Sequence, residues 1–273
     1  MANALLTIPD WSDGGAFTSS VASGNFPVAN LGKLSLDRYE NTAPTSFTID
    51  IDHSTGATAD MLTFALLYTN ASASATWRIT VADTFGDLTG ETGTYAQLLA
   101  PTLMRRAITD YTDPAAANRI HAYYVHSAVV THRWVRFTIA ETVNSTFRAR
   151  RAMVGSHDPF ANLNIGYGSD YGAFSDRSRR GESSRGRLTM SRGFIAQEES
   201  FQGFFVTEAD MKTLMKMYEQ RGGSQDWLFV RDRNTALTDR MEESVVSGYL
   251  PTKFKVQHTS FGLFNFQSEI VER

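Results

Sequence analysis

Apolar and polar residues alternate in three segments of the chain, SFTIDID, ATWRITVAD and HRWVRFTIAE. The apolar positions are Phe47, Ile49 and Ile51 in the first segment, Trp77, Ile79 and Val81 in the second, and Val135, Phe137 and Ile139 in the third. A period of two places these side chains on one face of an extended chain. Each segment is therefore predicted to be a half-buried strand.

Other segments extend this β pattern. DMLTFALLYT (60–69) is almost continuously apolar, which predicts a strand covered on both faces, and IHAYYVHS and FRARRAMV are typical of further strands. The small residues NASASA (70–75) predict a tight turn whose surface is available for contacts. Short strands without a helical period predict an antiparallel β-sandwich or jelly roll over residues 31–154.

One amphipathic helix is predicted over residues 207–221. Thr207 and Asp210 form a capping pattern, Val206 and Met211 form a hydrophobic staple, and a glycine pair after Arg221 ends the helix. Its expected apolar face consists of Met211, Leu214, Met215 and Tyr218.

These patterns organise the chain into four regions. Residues 1–30 are predicted to be an N-terminal arm, and residues 155–187 a linker loop rich in Gly, Ser and Arg. Residues 188–273 carry the helix and three strand-like segments, DWLFVRD, ESVVSGYL and KFKVQHTSFGLFNFQSEIV. The fold class is therefore mainly β, an antiparallel β-sandwich or jelly roll followed by a second β-rich (α+β) domain with one packed helix.

Composition restricts the chemistry. A chain of 273 residues that is 42% hydrophobic can bury a core, and its net charge of −3 predicts no attraction to nucleic acid or anionic membrane. The absence of cysteine excludes disulfides and thiolate sites. The N-terminal residues lack the pattern of a signal peptide, and no segment is long and apolar enough to predict membrane insertion.

Catalytic motifs are absent from the sequence. The Gly-rich GYGSDYG matches no phosphate-binding loop, no G-x-S-x-G motif occurs, and no histidine pair has H-E-x-x-H spacing. We therefore expect neither an enzyme nor a cofactor. Asp50 and Asp52 share a strand face and are weak candidates for a Ca²⁺ site, although a solvated turn is the favoured interpretation.

A basic segment is the main candidate for interactions. Its arginines are Arg177, Arg179, Arg180, Arg185 and Arg187. Such a cluster can follow phosphates, but no nucleic-acid motif surrounds it. We expect either a solvated linker or an arm that docks on an acidic neighbouring protein.

The run from FPVANLGKLSL to ATWRITVAD resembles the N-terminal part of minor tail and structural proteins of tailed bacteriophages. The matching positions are Pro27, Asn30, Leu31, Phe47 to Asp52, Asn70, Ala75 to Ile79 and Asp83. That module is similar to the galactose-binding (discoidin-like) jelly roll. The last third, from FQGFFVTEADMKTLMKMYEQRGG onwards, resembles the C-terminal part of such proteins.

The resemblance implies a structural component of the virion, at the tail or baseplate, made in the bacterial cytoplasm. Its expected partners are copies of itself and neighbouring tail proteins. The alternative is a carbohydrate-binding module that recognises a host receptor, with exposed aromatics such as Trp11, Tyr95 or Tyr111 stacking on sugars.

Overall fold

The computed structural model describes residues 5–21, 26–33, 38–42, 45–53, 55–72, 74–104, 120–156, 173–176, 179–182, 188–191, 195–223, 225–230, 245–251, 255–260 and 262–272. The chain divides into two compact units. The sandwich unit comprises residues 7–158, and the sheet unit comprises residues 1–6 with 159–273. In the described residues no helix is long and apolar enough to cross a bilayer.

The N-terminal segment differs from the predicted arm. Leu5 and Leu6 of β1 (Leu5–Thr7) belong to the sheet unit, and β2 (Ala16–Ser19) pairs with a strand of the sandwich. Between them, Trp11 is only 2% exposed, and its backbone N–H donates to the carbonyl oxygen of Val154 at 3.1 Å. Leu5, Leu6 and Ile8 are buried as well, so the apolar residues of this segment belong to packed structure.

The sandwich unit is antiparallel throughout. Its further strands are β3 (Tyr39–Thr42), β4 (Ser46–Asp52), β5 (Ala59–Thr69), β6 (Thr76–Ala82), β7 (Ala96–Leu103), β8 (Ile120–His132), β9 (Trp134–Ala140), β10 (Thr146–Ala149) and β11 (Arg151–Gly155). One sheet has the order β2-β4-β9-β6-β7, the second β11-β5-β8, and β3 pairs with β10. The predicted mainly-β fold is confirmed.

The core lies on the alternating face of the five-stranded sheet. All nine predicted apolar side chains of β4, β6 and β9 are buried, and the rings of Trp77 and Phe137 stack 5.9 Å apart. In β5 every residue from Thr63 to Thr69 is buried, so the predicted two-sided cover is confirmed. The continuous apolar run therefore marks a strand that has no solvent face.

The described residues of the turn between β5 and β6 mostly pack inward, and among them Ser74 is exposed. Ala71 and Ala75 belong to the buried core, and Ser72 is buried as well. The Asn70 side chain hydrogen-bonds to the backbone of β10 as a neighbouring strand would. Its Oδ1 accepts from Arg148 N at 2.7 Å, and its Nδ2 donates to the carbonyl oxygen of Thr146 at 2.8 Å. Small residues are needed here because the turn packs inward.

The described part of the sheet unit is built around one seven-stranded sheet. Its elements after β1 are β12 (Ala173–Asp176), β13 (Arg179–Glu182), β14 (Leu188–Ser191), β15 (Ile195–Thr207), α2 (Glu208–Arg221), β16 (Trp227–Val230), β17 (Val245–Tyr249), β18 (Lys255–Ser260) and β19 (Leu263–Glu272). The sheet order is β1-β16-β17-β19-β15-β12, with β18 paired to β19, and β13 pairs with β14 separately. Two predicted features differ here: the linker contains strands β12 and β13, and the last segment is a hairpin, with Gly262 at φ +70° between β18 and β19.

The predicted helix begins and ends as expected. The Thr207 hydroxyl accepts from Asp210 N, and Gly222 follows the last turn with φ +62°. The buried side chains are Met211, Leu214 and Met217, whereas Met215 is 40% exposed. The predicted face was wrong at Met215 because the helix packs on β15 and β19 along its i, i+3 row rather than its i, i+4 row.

Candidate functional site

The outward face of the five-stranded sheet carries the candidate site. Cross-strand register aligns Asp52 with Trp134, and Asp50 with Arg136, on the strands β4 and β9. These residues alternate with the core residues, so period two places them on the opposite face. Polar and aromatic side chains are thereby gathered outside the core.

A short helix, α1 (Phe85–Gly90), lies against this face. Thr84 caps it by accepting from Asp87 N at 3.0 Å, and Leu88 is buried. Arg136 donates to the carbonyl oxygen of Leu88 at 3.4 Å. The helix is therefore tied to the sheet by packing and by one guanidinium.

Two arginine–aspartate pairs link the strands beneath and beside α1. Arg136 Nε and Nη2 donate to the two oxygens of Asp50 at 2.6 and 2.9 Å. Arg133, in the turn between β8 and β9, binds Asp52 in the same manner at 2.7 and 2.8 Å. The pKa of each arginine is raised, mainly by the hydrogen bonds to its aspartate.

Phe85, Trp134, Arg133 and Asp52 form a surface that we call the aromatic platform. The rings of Phe85 and Trp134 lie 5.0 Å apart at an angle of 51°, and Phe85 is 46% exposed. The Arg133 guanidinium lies 5.6 Å from the centre of the Trp134 ring. Trp134 is half-buried, so this surface combines partly exposed aromatic area with a bidentate ion pair.

The edge of the platform carries a further polar pair. His132 Nδ1 lies 2.8 Å from an oxygen of Asp83, at the end of β6. The Arg136 guanidinium lies 6.0 Å from the centre of the Phe85 ring. The platform therefore offers flat apolar area together with donors and acceptors, which suits a ligand with one apolar face and a hydroxyl-rich edge.

The predicted metal candidates have other partners. Both carboxylates of Asp50 and Asp52 bind arginines, so a cation there would compete with two guanidiniums. In the described part of the chain no cluster of three or more His, Cys, Asp or Glu residues is arranged to hold a metal. Asp50 and Asp52 do share one face of β4, as predicted, but that face also brings them next to Arg136 on β9 and Arg133 in the turn before it.

The three aromatic residues that were predicted to be exposed differ in where the structure places them. Trp11 is buried, so that expectation was wrong; residue 11 packs with His53 and the core. Tyr95 is partly buried and its hydroxyl is enclosed, which raises its pKa by desolvation. Tyr111 lies outside the described residues.

The predicted arginine segment is described only in part. Arg177, Arg185 and Arg187 lie outside the described residues. Arg179 and Arg180 belong to β13, which pairs with β14, and there the description covers the backbone alone.

Sequence reasoning missed the platform, although signals for it were present. Trp134 is a large aromatic at an outward position of an alternating strand, and Thr84 with Asp87 forms the same capping pattern as the predicted helix. The pairing of Asp52 with Arg133 has no local signal because the residues are 81 positions apart.

Comparisons with known proteins give low similarity. No family model matches the chain, and no curated protein matches its sequence. The chain is similar to the structure of chitosan-binding module 1 from a chitosanase/glucanase of Paenibacillus sp. IK-5, with 14% identity, a TM-score of 0.40, and coverage of 53% of this chain and 96% of that chain.

Two other solved structures are similar at the same level. One is the family 32 carbohydrate-binding module of NanJ from C. perfringens in complex with galactose, with 9% identity, a TM-score of 0.39, and coverage of 55% of this chain and 98% of that chain. The other is a GH29 fucosidase from Ruminococcus gnavus in complex with fucose, with 10% identity, a TM-score of 0.37, and coverage of 52% of this chain and 25% of that chain. Because these scores are low, the fold described above follows from strand pairing alone.

Proposed function

We propose that the protein binds carbohydrate through the aromatic platform. The observation that supports this most strongly is the ring pair of the exposed Phe85 and the half-buried Trp134, held next to the bidentate Asp52–Arg133 pair. Sugar rings present C–H groups on one face, which pack on aromatic rings, and hydroxyls at the edge, which bond to carboxylates and guanidiniums. The platform carries both kinds of group within one contiguous surface.

The platform is also preorganised. α1 holds Phe85 in place through the buried Leu88, and Arg133 is fixed by two hydrogen bonds to Asp52. A ligand that binds such a surface orders few side chains, so less of the interaction energy is lost as entropy. The role is binding, and no step of it requires a catalytic group.

A glycan array followed by titration of the best ligand tests this function. Trp134→Ala removes the larger ring, and loss of a central aromatic anchor typically costs about 2 kcal/mol or more, which corresponds to about a thirtyfold weaker Kd. Arg133→Ala is expected to weaken binding as well, because it removes the donor and leaves Asp52 unpaired.

Lys212→Ala is the matched control. Lys212 is also a basic residue in an ion pair, with Glu208 at 2.7 Å on α2 of the sheet unit. The control is expected to bind like the parent protein. Binding that survives both platform substitutions, or an array without any bound glycan, would contradict the proposal.

Assembly into a virion is the second candidate function, and it rests on the sequence resemblance to tail proteins. One structural observation favours it: every residue of β18 is exposed, and in the described part of the sheet β18 pairs only with β19. An unpaired edge strand can add to a strand of a neighbouring subunit. Such a protein would form homo-oligomers and contact other tail or baseplate proteins.

Light scattering with negative-stain imaging tests this second function. Rings or defined oligomers that are dispersed by Val256→Lys, at the exposed edge strand, are the expected result. A chain that remains monomeric at every concentration argues against self-assembly. Deletion of residues 1–25 is unsuitable as a test, because it removes β1, β2 and the buried Trp11.

A further inference from the structure

A second polar surface lies where β3 meets β10. Register pairs Arg148 with Glu40, and the Nε atoms of Arg148 and Arg38 both donate to the same oxygen, Glu40 Oε2, at 3.1 and 2.8 Å. Arg38 and Arg150 each lie one residue beyond the Tyr39–Ala149 pair that ends this ladder. We call Arg38, Arg148, Arg150 and Glu40 the arginine cluster.

The arginine cluster carries excess positive charge. The guanidiniums of Arg38 and Arg148 share the single carboxylate of Glu40, and among the described residues Arg150 forms no ion pair with an acidic side chain. Like charges placed side by side on neighbouring strands are destabilising. The cluster therefore has a net positive charge, which an added anion would neutralise.

Aromatic rings hold two of the three guanidiniums. Arg38 lies 4.7 Å from the centre of the Phe26 ring, and Arg150 lies 5.5 Å from the centre of the Tyr68 ring. A guanidinium placed over a ring keeps its donors directed sideways and loses less entropy when it binds an oxyanion. The geometry resembles a preformed clamp more than a set of free surface arginines.

The backbone under Arg150 is strained. Tyr68 has φ +55°, which is costly for a bulky residue, and it lies at an irregularity in the pairing of β5 with β8. His121 secures this conformation, since its Nδ1 accepts from Tyr68 N at 3.2 Å and its ring meets the Tyr68 ring edge-on at 4.7 Å. The strain places the Tyr68 ring below Arg150.

The cluster is separate from the aromatic platform. Strands β5 and β8 pair from Ala59 with His132 at one end to Thr69 with Ile120 at the other. The platform adjoins the His132 end, whereas the arginine cluster adjoins the opposite end. At 3.3 Å per residue, the strand length separates the two surfaces by roughly 30 Å.

We propose that the arginine cluster is a second ligand site, which takes the carboxylate of a small acidic ligand the size of one uronic acid residue. Glu40 shows that the two strands can direct two guanidiniums at one carboxylate oxygen, and planar carboxylates match the fork of arginine. The surface spans about two residues on each of two strands. That is far below the roughly 800 Å² per partner of a stable protein interface, so the cluster alone fits a small ligand.

Titration of the full chain with D-glucuronate tests this site, with the arginine Nε–H signals observed by NMR. D-glucose is the neutral control, since it has the same ring without the carboxylate. We expect saturable shifts at Arg38, Arg148 and Arg150 with glucuronate and none with glucose. The apparent Kd should rise with salt concentration, because the contact is between charges.

Arg148→Gln and Arg150→Gln are each expected to weaken glucuronate binding by about tenfold, the loss of one charge-assisted contact. Arg78→Gln, on the other sheet, is the matched control and should bind like the parent. Equal response to glucose, unchanged binding in both cluster variants, or no saturable shift would overturn the proposal. So would binding of an oligoglutamate peptide without binding of glucuronate, since that result assigns the cluster to an acidic protein partner. Loss of glycan binding in Trp134→Ala leaves this test unaffected, so the two sites fail independently.

Discussion

Glu141 is expected to hold together two loops of the sandwich unit. It follows β9, is 1% exposed, and accepts hydrogen bonds from three backbone N–H groups. Oε2 accepts from Ser72 at 2.7 Å, and Oε1 accepts from Val143 at 2.9 Å and Asn144 at 3.2 Å. The carboxylate thereby joins the β5–β6 turn to the β9–β10 turn.

Glu141→Gln changes one oxygen into a donor with nearly the same shape. The new amide group must face either Ser72 N–H or the N–H groups of Val143 and Asn144, so at least one buried donor loses its acceptor. Hydrogen bonds to a charged group contribute about 1.5–3 kcal/mol, and we expect the substitution to lower the free energy of unfolding by about that amount. Glu141→Ala, which removes all three acceptor contacts, is expected to cost about 3–5 kcal/mol.

The effect should depend on pH. Burial by itself raises the pKa of Glu141, but the hydrogen bonds from Ser72, Val143 and Asn144 outweigh it, and the net pKa is lowered below 4.5. A carboxylate whose folded pKa is lowered contributes stability that is present above its unfolded pKa and lost as the pH falls through the folded pKa. The difference in free energy of unfolding between the parent and Glu141→Gln should therefore be largest at neutral pH and shrink below about pH 4.

Urea denaturation at pH 7 and at a series of acidic pH values measures the difference. Amide hydrogen exchange at Ser72, Val143 and Asn144 locates it, since these amides should lose protection in the variant. Equal stability of parent and variant at pH 7, or a difference that grows with acid, would refute the account of Glu141.

Two further predictions concern the sheet unit, and both use urea denaturation. Gly248→Ala would direct a methyl group onto the carbonyl oxygen of Val271 between β17 and β19, so we expect the free energy of unfolding to fall by about 2–3 kcal/mol. The control Gly86→Ala, in α1, has its nearest neighbour atom at 3.7 Å and should be neutral or stabilising. Equal effects of the two substitutions would contradict this. Thr207→Ala removes the cap of α2 and should cost about 1 kcal/mol, while Thr213→Ala, inside the same helix, should change little.

Local patterns determined the elements of this protein with good accuracy. The alternation in β4, β6 and β9 identified their buried faces, the apolar run of β5 indicated a strand without a solvent face, and Thr207 marked the start of α2. These signals are readable because a strand repeats every two residues and a helix cap depends on neighbours within one turn. The prediction of the buried face of α2 was wrong at Met215, because the strands against which the helix packs decide between Met215 and Met217.

The tertiary structure alone decided which distant residues meet. Asp52 binds Arg133 across 81 positions, and Arg148 binds Glu40 across 108. Such contacts depend on strand order and register, which are set by the packing of the whole core rather than by any short segment. By itself the sequence determined that this is a β-sandwich with a second β-rich unit. The aromatic platform and the arginine cluster exist only because folding aligned strands whose partners no local pattern specifies.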